Sequence, residues 1–174
     1  MTDVPWLTRQ EADAWLDLVA VAELLPAALD SRLALDAGIT FFDYLVLAQL
    51  AESPDRSLRI SDLAAQTNAT VARLSRVVSR LEDRGYLRRL RRDGDGRARY
   101  AQLTEAGVAK LDSAAPDHIA TVRRLFADAL TADQMHALSH LCRILLGALD
   151  PDRVMMAQTI KGAAGRVGLS APPR

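Results

Sequence analysis

Residues 70–107 of this 174-residue chain read TVARLSRVVSRLEDRGYLRRLRRDGDGRARYAQLTEAG, and this stretch decides the fold. Over 71–84 the apolar residues recur at the spacing of one helix face, Thr70 stands where an N-cap is needed, and Gly85 can end the helix. Over 86–92 and 97–103 the pattern changes to that of two strands, joined by a turn with two Asp-Gly steps. The segment therefore predicts a helix that is followed by a β-hairpin.

The predicted helix over 71–84 carries a stripe of basic side chains on its exposed side. At about 100° per residue, its four arginines fall within about 80° of one another, beside the apolar face that packs inward. They are Arg73, Arg76, Arg80 and Arg84, and Ser75 and Ser79 are expected on the same exposed side. Guanidinium groups and hydroxyls bond both to guanine edges and to phosphates. The stripe is therefore a candidate for binding in a DNA groove, the alternative being an ordinary solvated face.

A shorter helix precedes this one. It is predicted over 62–66 with Ser61 as its N-cap, and the turn after it contains Asn68, a residue that tolerates the left-handed conformation. Two short helices joined by so tight a turn have the spacing of a helix-turn-helix. The hydroxyls of Ser61 and Thr70, at the two helix N-termini, are further candidates for DNA contacts.

The net charge of the whole chain is zero, with 22 basic and 22 acidic residues, but the charges are unevenly distributed. Residues 56–99 contain twelve arginines and five carboxylates, a net charge of +7, and the rest of the chain carries −7. Such an asymmetry indicates an anionic partner for the middle segment alone. We expect this partner to be double-stranded DNA.

The composition excludes several other classes of protein. A chain that is 49% hydrophobic and 25% charged is typical of a globular protein, and no apolar run reaches the roughly 18 residues of a membrane span. Residues 1–10 lack a secretory signal pattern, so we expect a cytoplasmic protein without membrane contact. Cys142 is the single cysteine and cannot form an internal disulfide. No catalytic arrangement and no phosphate-binding loop is evident, so neither an enzyme nor a cofactor is expected.

Longer helices are predicted on both sides of the helix-turn-helix. Upstream, Thr8 and Glu11 have the spacing of a capping box that opens a helix to about residue 35, which Pro26 is expected to kink or split. Thr40 caps the next predicted helix, over 41–51. Downstream, a helix is predicted from residue 105 to about residue 129 with a bend at residue 116, and another over 132–149, each preceded by a threonine N-cap.

These elements predict how the chain is organised into domains. Residues 8–36 and 108–149 are expected to be dimerisation helices, because their apolar faces exceed what one small DNA-binding unit can cover. Residues 40–107 are expected to form the DNA-binding domain. Residues 162–174, rich in glycine and proline, are expected to be a flexible tail.

The order of motifs over residues 60–107 resembles that of the multiple antibiotic resistance regulator (MarR) family. The matching residues are Asp62-Leu63-Ala64, Ser75-Arg76, the run from Leu81 to Leu87, Arg89, Asp95-Gly96-Arg97, and the run from Leu103 to Gly107. The helix order extends the resemblance over about 12–149. Asn68 and Gly96 depart from the family pattern, in which a glycine and an arginine are usual.

The resemblance implies a mainly α-helical winged helix-turn-helix with a small β-hairpin wing. It also implies a homodimer with interlocking terminal helices, a fourth helix in the major groove, and Arg97 in the minor groove, oriented by Asp95. Arg99 is the candidate that replaces the missing arginine before Arg97. We therefore expect a transcriptional regulator that binds a palindromic operator. Repression of the nearby genes is expected before activation. The expected DNA contacts are Ser61, Thr70, Arg73, Ser75, Arg76, Ser79, Arg80, Asp95, Arg97 and Arg99.

Other residues suggest how such a regulator is controlled. Four aromatic residues are candidates for lining a cleft that takes a small aromatic or phenolic effector: Trp15, Phe41, Phe42 and Tyr44. Core packing is the preferred explanation, because aromatic residues at helical spacing usually fill cores. His136 and His140 have the spacing of two metal ligands on a helix but lack a third, so no metal is expected. Cys142 is expected to be a buried structural thiol rather than a redox sensor.

A different class of function stays open at this point. A winged helix can bind protein instead of DNA, which predicts an acidic or apolar face on the helix over 71–84. The arginine stripe and the basic hairpin argue against that reading. Metal-responsive or thiol-responsive control is a further alternative.

Overall fold

The computed structural model describes residues 5–91 and 98–155. The six helices are α1 (Arg9–Ala37), α2 (Phe41–Ala51), α3 (Ile60–Gln66), α4 (Val71–Asp83), α5 (Glu105–Leu125) and α6 (Ala132–Leu149). The three strands are β1 (Ser57–Arg59), β2 (Leu87–Leu90) and β3 (Tyr100–Leu103), and short 3₁₀ turns occupy Pro54–Arg56 and Ala127–Ala129. The fold is thus mainly helical with one small sheet, as expected. The expected flexible tail lies outside the described residues.

Helix α1 is one continuous helix of 29 residues that runs through Pro26. We expected Pro26 to kink or split this helix, and the split was wrong. A proline removes one backbone donor, and Pro26 lies on the exposed side of α1, where water can bond the carbonyl that loses its partner. The predicted capping box is present, because Thr8 N donates to Glu11 Oε2 at 2.7 Å and Glu11 N donates to Thr8 Oγ1 at 3.3 Å.

The sheet has three antiparallel strands in the order β1-β3-β2, where the sequence predicted only a hairpin. Strand β1, which directly precedes α3, pairs with one edge of β3, and β2 pairs with the other. Leu58 of β1 and Arg89 of β2 therefore both lie opposite Ala101. This pairing also corrects the start of α3. Ile60 N donates to Arg99 O at 2.9 Å, so α3 begins at Ile60, and Ser61 is not its N-cap.

The core lies between α2, α3, α4 and the inner face of the sheet. Its fully buried large side chains include Leu47, Leu50, Leu63, Leu74, Leu81 and Leu87. The C-terminal half of α1 closes one side of this core through Leu29 and Leu33, and α5 packs along α1. Helix α5 ends at Leu125, about four residues before its predicted end, and runs through Pro116 without a break.

Helix α6 has no buried residue in the single chain. Its apolar side chains at positions 141, 144, 145, 146 and 149 are all exposed, and so is the thiol of Cys142. The prediction of a buried Cys142 was therefore wrong for one chain, because none of the elements that the structure describes covers that face. Among the described helices, none is long and apolar enough to cross a membrane.

Candidate nucleic-acid interface

The turn between α3 and α4 has the geometry that a helix-turn-helix requires. Asn68 adopts the left-handed conformation with φ of 49°, a conformation that asparagine tolerates better than most residues. Ala69 N donates to Ala64 O at 2.9 Å, which turns the chain back towards α4. Thr70 then caps α4, since its Oγ1 accepts from Arg73 N at 3.2 Å. The predicted turn and the predicted cap are both confirmed.

Helix α4 is strongly amphipathic. Its buried face consists of Leu74, Val77, Val78 and Leu81, as predicted. On the other side Arg73, Arg76 and Arg80 are exposed to solvent. The helix therefore presents a basic surface outward.

The four arginines of the stripe differ in what they contact. The guanidinium of Arg73 lies over the ring of Phe42, with its carbon 4.3 Å from the ring centroid. Arg80 Nη2 is 2.5 Å from Asp43 Oδ1, and Arg84 Nη1 donates to Gly38 O at 2.9 Å. Within residues 5–91 and 98–155, Arg76 alone among the four has no hydrogen bond, ion pair or ring contact. Arg76 is therefore the stripe arginine whose donors are least committed.

Arg89 of β2 connects the sheet to α4 through several hydrogen bonds. Its Nη1 is 2.6 Å from Glu82 Oε2, and its Nη2 donates to Ser79 Oγ at 2.6 Å and to Ser75 O at 3.1 Å. Arg89 N also donates to Glu82 Oε1 at 2.9 Å. Four charge-assisted or backbone bonds thus hold β2 and α4 together.

This contact corrects the prediction that Ser75 and Ser79 are exposed beside the arginines. Both are half-buried, and the Ser79 hydroxyl already donates to Ser75 O at 3.1 Å while it accepts from Arg89. The reason is that β2 folds back against α4, which spacing along α4 does not reveal. Ser79 in particular has little bonding capacity left for DNA.

The wing is described up to its base. Arg99 is exposed beside β3, and Arg88 Nε donates to Gln102 Oε1 at 2.7 Å across the sheet. Asp95 and Arg97, the predicted wing residues, lie outside the described residues. The base of the wing is basic on the described strands, as the charge distribution predicted.

The four candidate effector residues do not form one cluster. Phe41 and Tyr44 both pack on His118 of α5, with ring centroids 5.9 and 4.2 Å apart, whereas Phe42 lies under Arg73. Trp15 is 57% exposed and lies fifteen residues before Asp30, whose Oδ1 accepts from Phe41 N at 2.8 Å. At 1.5 Å per residue this is about 22 Å along α1. Placing Trp15 with the other three was therefore wrong within one chain.

His118 was not singled out from the sequence, although it lies at the centre of this aromatic cluster. It is buried, its Nδ1 has no hydrogen-bond partner among the described residues, and burial lowers the pKa of its imidazole. Burial, together with the charge of Asp112, raises the pKa of Tyr44 to about 12. The only signal in the sequence was the helical spacing of Ala114, His118 and Thr121, which share the inward face of α5.

The burial of His118 leads to a prediction about pH. Because the folded state binds the His118 proton less readily than the unfolded state does, stability is full above the ordinary histidine pKa of about 6.5 and is lost as pH falls below it. We expect the melting temperature to fall by a few degrees between pH 7.5 and 5.5. His118→Phe keeps a ring between Phe41 and Tyr44 but cannot be protonated, so it should reduce that fall.

The matched control is His136→Phe, because His136 is exposed in the part of the chain that the structure describes. Its melting temperature should depend on pH as the wild type does. An unchanged pH dependence in His118→Phe, measured by circular dichroism, would show that another group carries the effect.

The geometry of the described residues gives no support to metal-responsive control. His136 and His140 are exposed on α6, and the described residues contain no group of three or more His, Cys, Asp or Glu that could hold a metal ion. Cys142 is exposed on the same helix, so burial does not argue against thiol-responsive control.

Comparisons with known proteins agree with this arrangement. A model of the MarR family matches residues 37–98. Sco3205, a MarR family transcriptional regulator from Streptomyces coelicolor solved in complex with DNA, is 38% identical, with a TM-score of 0.81 over 87% of this chain and 94% of its own. AbsC, a MarR family regulator from the same organism, is 34% identical, with a TM-score of 0.74 over 91% of this chain and 99% of its own.

A curated relative is also similar. The transcriptional repressor MprA of Escherichia coli K12 is 28% identical over 113 residues, which are 65% of this chain and 64% of MprA. The match thus spans just under two thirds of the length of that relative.

Proposed function

This chain belongs to the MarR family of DNA-binding transcriptional regulators, and we propose that it represses genes by binding a palindromic operator as a homodimer. The observation that carries the proposal is the exposed and uncommitted guanidinium of Arg76 on the second helix of a helix-turn-helix. Helix α4 enters the major groove, where arginine can bond to both acceptors of a guanine edge. The similarity to Sco3205, solved in complex with DNA, supports this arrangement.

The remaining site residues take positioning roles. Thr70 and Arg73 face outward at the N-terminus of α4, where backbone donors and hydroxyls suit phosphate oxygens. Ser61 faces outward on α3, and its hydroxyl, which donates to Asp62 Oδ1 at 3.1 Å, would have to exchange this bond for a phosphate. Arg73 is stacked on Phe42, which limits the freedom that it loses on binding. Arg99 contacts a phosphate of the DNA backbone beside the wing. By the family pattern, Arg97 inserts into the minor groove and Asp95 orients it.

Two apolar surfaces support the homodimer. The exposed side of α6 presents Leu141, Ile144, Leu145 and Leu149, and the N-terminal part of α1 presents a second set that includes Trp15 and Leu16. Apolar patches of this kind mark protein interfaces, and a two-fold axis pairs each patch with its counterpart. A symmetric dimer in turn requires an operator with two inverted half-sites.

Control by a small aromatic ligand is the finer part of the proposal. The contact between α1 and α5 at Leu29, Leu33, Ala114 and His118 lies next to the rings of Phe41 and Tyr44 and encloses only about 10 Å³, so a ligand would have to separate the two helices to enter. Phe41 is followed directly by Phe42 and Asp43, which contact arginines of α4. A ligand that moves α2 at this point would therefore move the DNA-reading helix.

The experiment that tests the function is the enrichment of duplexes from a random-sequence library by the wild-type protein. We expect the enriched sequences to contain two inverted half-sites, because each protomer reads one. Light scattering of the free protein should give twice 19.0 kDa. Enrichment of no common sequence, or a monomer that still binds the enriched duplex, would contradict the proposal.

A pair of variants tests the interface. Leu141→Glu with Leu145→Glu places charges on the exposed face of α6 and should produce a monomer with reduced operator affinity. Val71→Glu is the matched control for assembly alone, since Val71 is equally exposed but lies on α4, where the new charge would itself weaken DNA binding. The control should remain a dimer.

A further inference from the structure

Arg80 differs from the other exposed arginines because its charge is already balanced by a buried carboxylate. Its Nη2 lies 2.5 Å from Oδ1 of Asp43 in α2, and the two side chains are 51% and 2% exposed. The ion pair therefore has one end in the core and one end on the DNA-reading side of α4. Arg80 was predicted as a DNA contact from its spacing along the helix, which gives no information about the position of Asp43.

Asp43 is held rigidly where it meets Arg80. Its Oδ2 accepts from Thr40 N at 3.1 Å, and its own N donates to Thr40 Oγ1 at 3.0 Å. These two bonds form the capping box that opens α2. The carboxylate thus cannot follow Arg80 towards a bound duplex without breaking the cap.

Exchange of Asp43 for a DNA phosphate is unfavourable for Arg80. If Arg80 swung onto a phosphate, a carboxylate with almost no contact to water would be left without its counter-charge, and uncompensated buried charges are strongly destabilising. Arg76 has no such partner among the described residues and is free to meet DNA. Arg76 is therefore available to bind DNA, whereas Arg80 is held by Asp43.

We infer that Asp43 is a specificity-determining residue of the DNA-binding surface, which acts by withholding Arg80 from phosphates although it does not touch DNA itself. The inference rests on the proposed function and adds a role for a buried residue of α2. Complexes with DNA of arbitrary sequence are held by phosphate contacts and can shift along the duplex to use any free cation. The operator complex is held in register by base contacts, so it gains less from a freed Arg80.

The test compares Asp43→Asn with the wild type on the enriched operator and on a scrambled duplex of the same composition. Asparagine has the same shape and still accepts from Thr40 N, but it no longer neutralises Arg80. We expect the scrambled duplex to bind on the order of tenfold more tightly, with a salt slope steeper by about 0.9 per protomer. Operator affinity should change by less than about twofold, so that the ratio of operator to scrambled affinity falls.

Two further variants serve as controls. Asp36→Asn makes the same charge change and frees Arg32, its partner at 3.2 Å, but both lie on α1. It should leave both affinities unchanged. Asp43→Asn combined with Arg80→Gln replaces the pair with two neutral amides, so it should return the scrambled-duplex affinity and salt slope to wild-type values.

The outcomes separate this inference from the proposed function. If the wild type enriches and binds an operator but Asp43→Asn, with an unchanged melting temperature, binds the scrambled duplex no more tightly, the inference is overturned alone. It is also overturned if both duplexes gain equally. The double variant is decisive even where Asp43→Asn is unstable, because an Arg80 that contacts phosphate in the wild type would make the double variant weaker on the scrambled duplex. Failure of the wild type to bind any duplex overturns the proposed function itself.

Discussion

DNA binding by the wild-type protein should weaken on the order of 10³-fold when the salt concentration is raised from about 50 to about 200 mM. Each phosphate contact releases condensed counterions, so the logarithm of affinity falls linearly with the logarithm of the salt concentration. The segment 56–99 carries a net charge of +7, and we expect the exposed arginines at 73, 91 and 99 to supply several phosphate contacts in each protomer. Fluorescence anisotropy on the enriched operator at four salt concentrations measures the slope.

Two variants test whether the salt dependence arises from the arginines of the segment 56–99. Arg99→Gln should make the slope shallower by about 0.9 for each protomer, because one phosphate contact is lost. Arg153→Gln removes an exposed arginine beyond α6, far along the chain from the helix-turn-helix, and should leave the slope unchanged. A slope near zero for the wild type would exclude binding through the arginine surface.

Arg76→Ala should lower operator affinity by about 1–3 kcal/mol for each half-site and lower scrambled-duplex affinity much less. The reason is that Arg76 is the stripe arginine with no partner among the described residues, so its planar donors are available for a guanine edge. Anisotropy on the two duplexes at one salt concentration gives the two losses. Their difference measures how much Arg76 contributes to sequence discrimination.

The matched control is Arg124→Ala, which removes an exposed arginine from α5. It should bind both duplexes as the wild type does. Equal losses on both duplexes for Arg76→Ala would make Arg76 a phosphate contact, and no loss on either would remove α4 from the interface.

The helix starts show how far local sequence information reaches. Five threonines were predicted as N-caps, and all five accept a hydrogen bond from the backbone N–H three residues later: Thr8, Thr40, Thr70, Thr104 and Thr131. The one serine predicted as a cap, Ser61, fails because Ile60 is bonded to Arg99 in the sheet. A contact across 39 residues outweighed a local preference that is worth about 1 kcal/mol.

The core face of α4 and the turn at Asn68 were equally accessible to sequence reasoning. The spacing of Leu74, Val77, Val78 and Leu81 defines an inward face without any knowledge of what it packs against. The left-handed turn needs only a residue that tolerates it. Which arginines on the opposite face remain free could not be found in this way.

What the sequence by itself determined are the features whose interactions span three or four residues, namely the helix caps, the amphipathic faces and the tight turn, together with the charge of the segment 56–99. Only the tertiary structure decided which polar groups are already used. Arg80 meets a carboxylate 37 residues away, and Arg84 bonds to a carbonyl 46 residues away. Arg89 reaches back to cover Ser79, and β1 finds its partner in β3. Spacing along one helix specifies a direction, but a partner exists only where separate elements pack together, and this packing depends on the shape of the whole core.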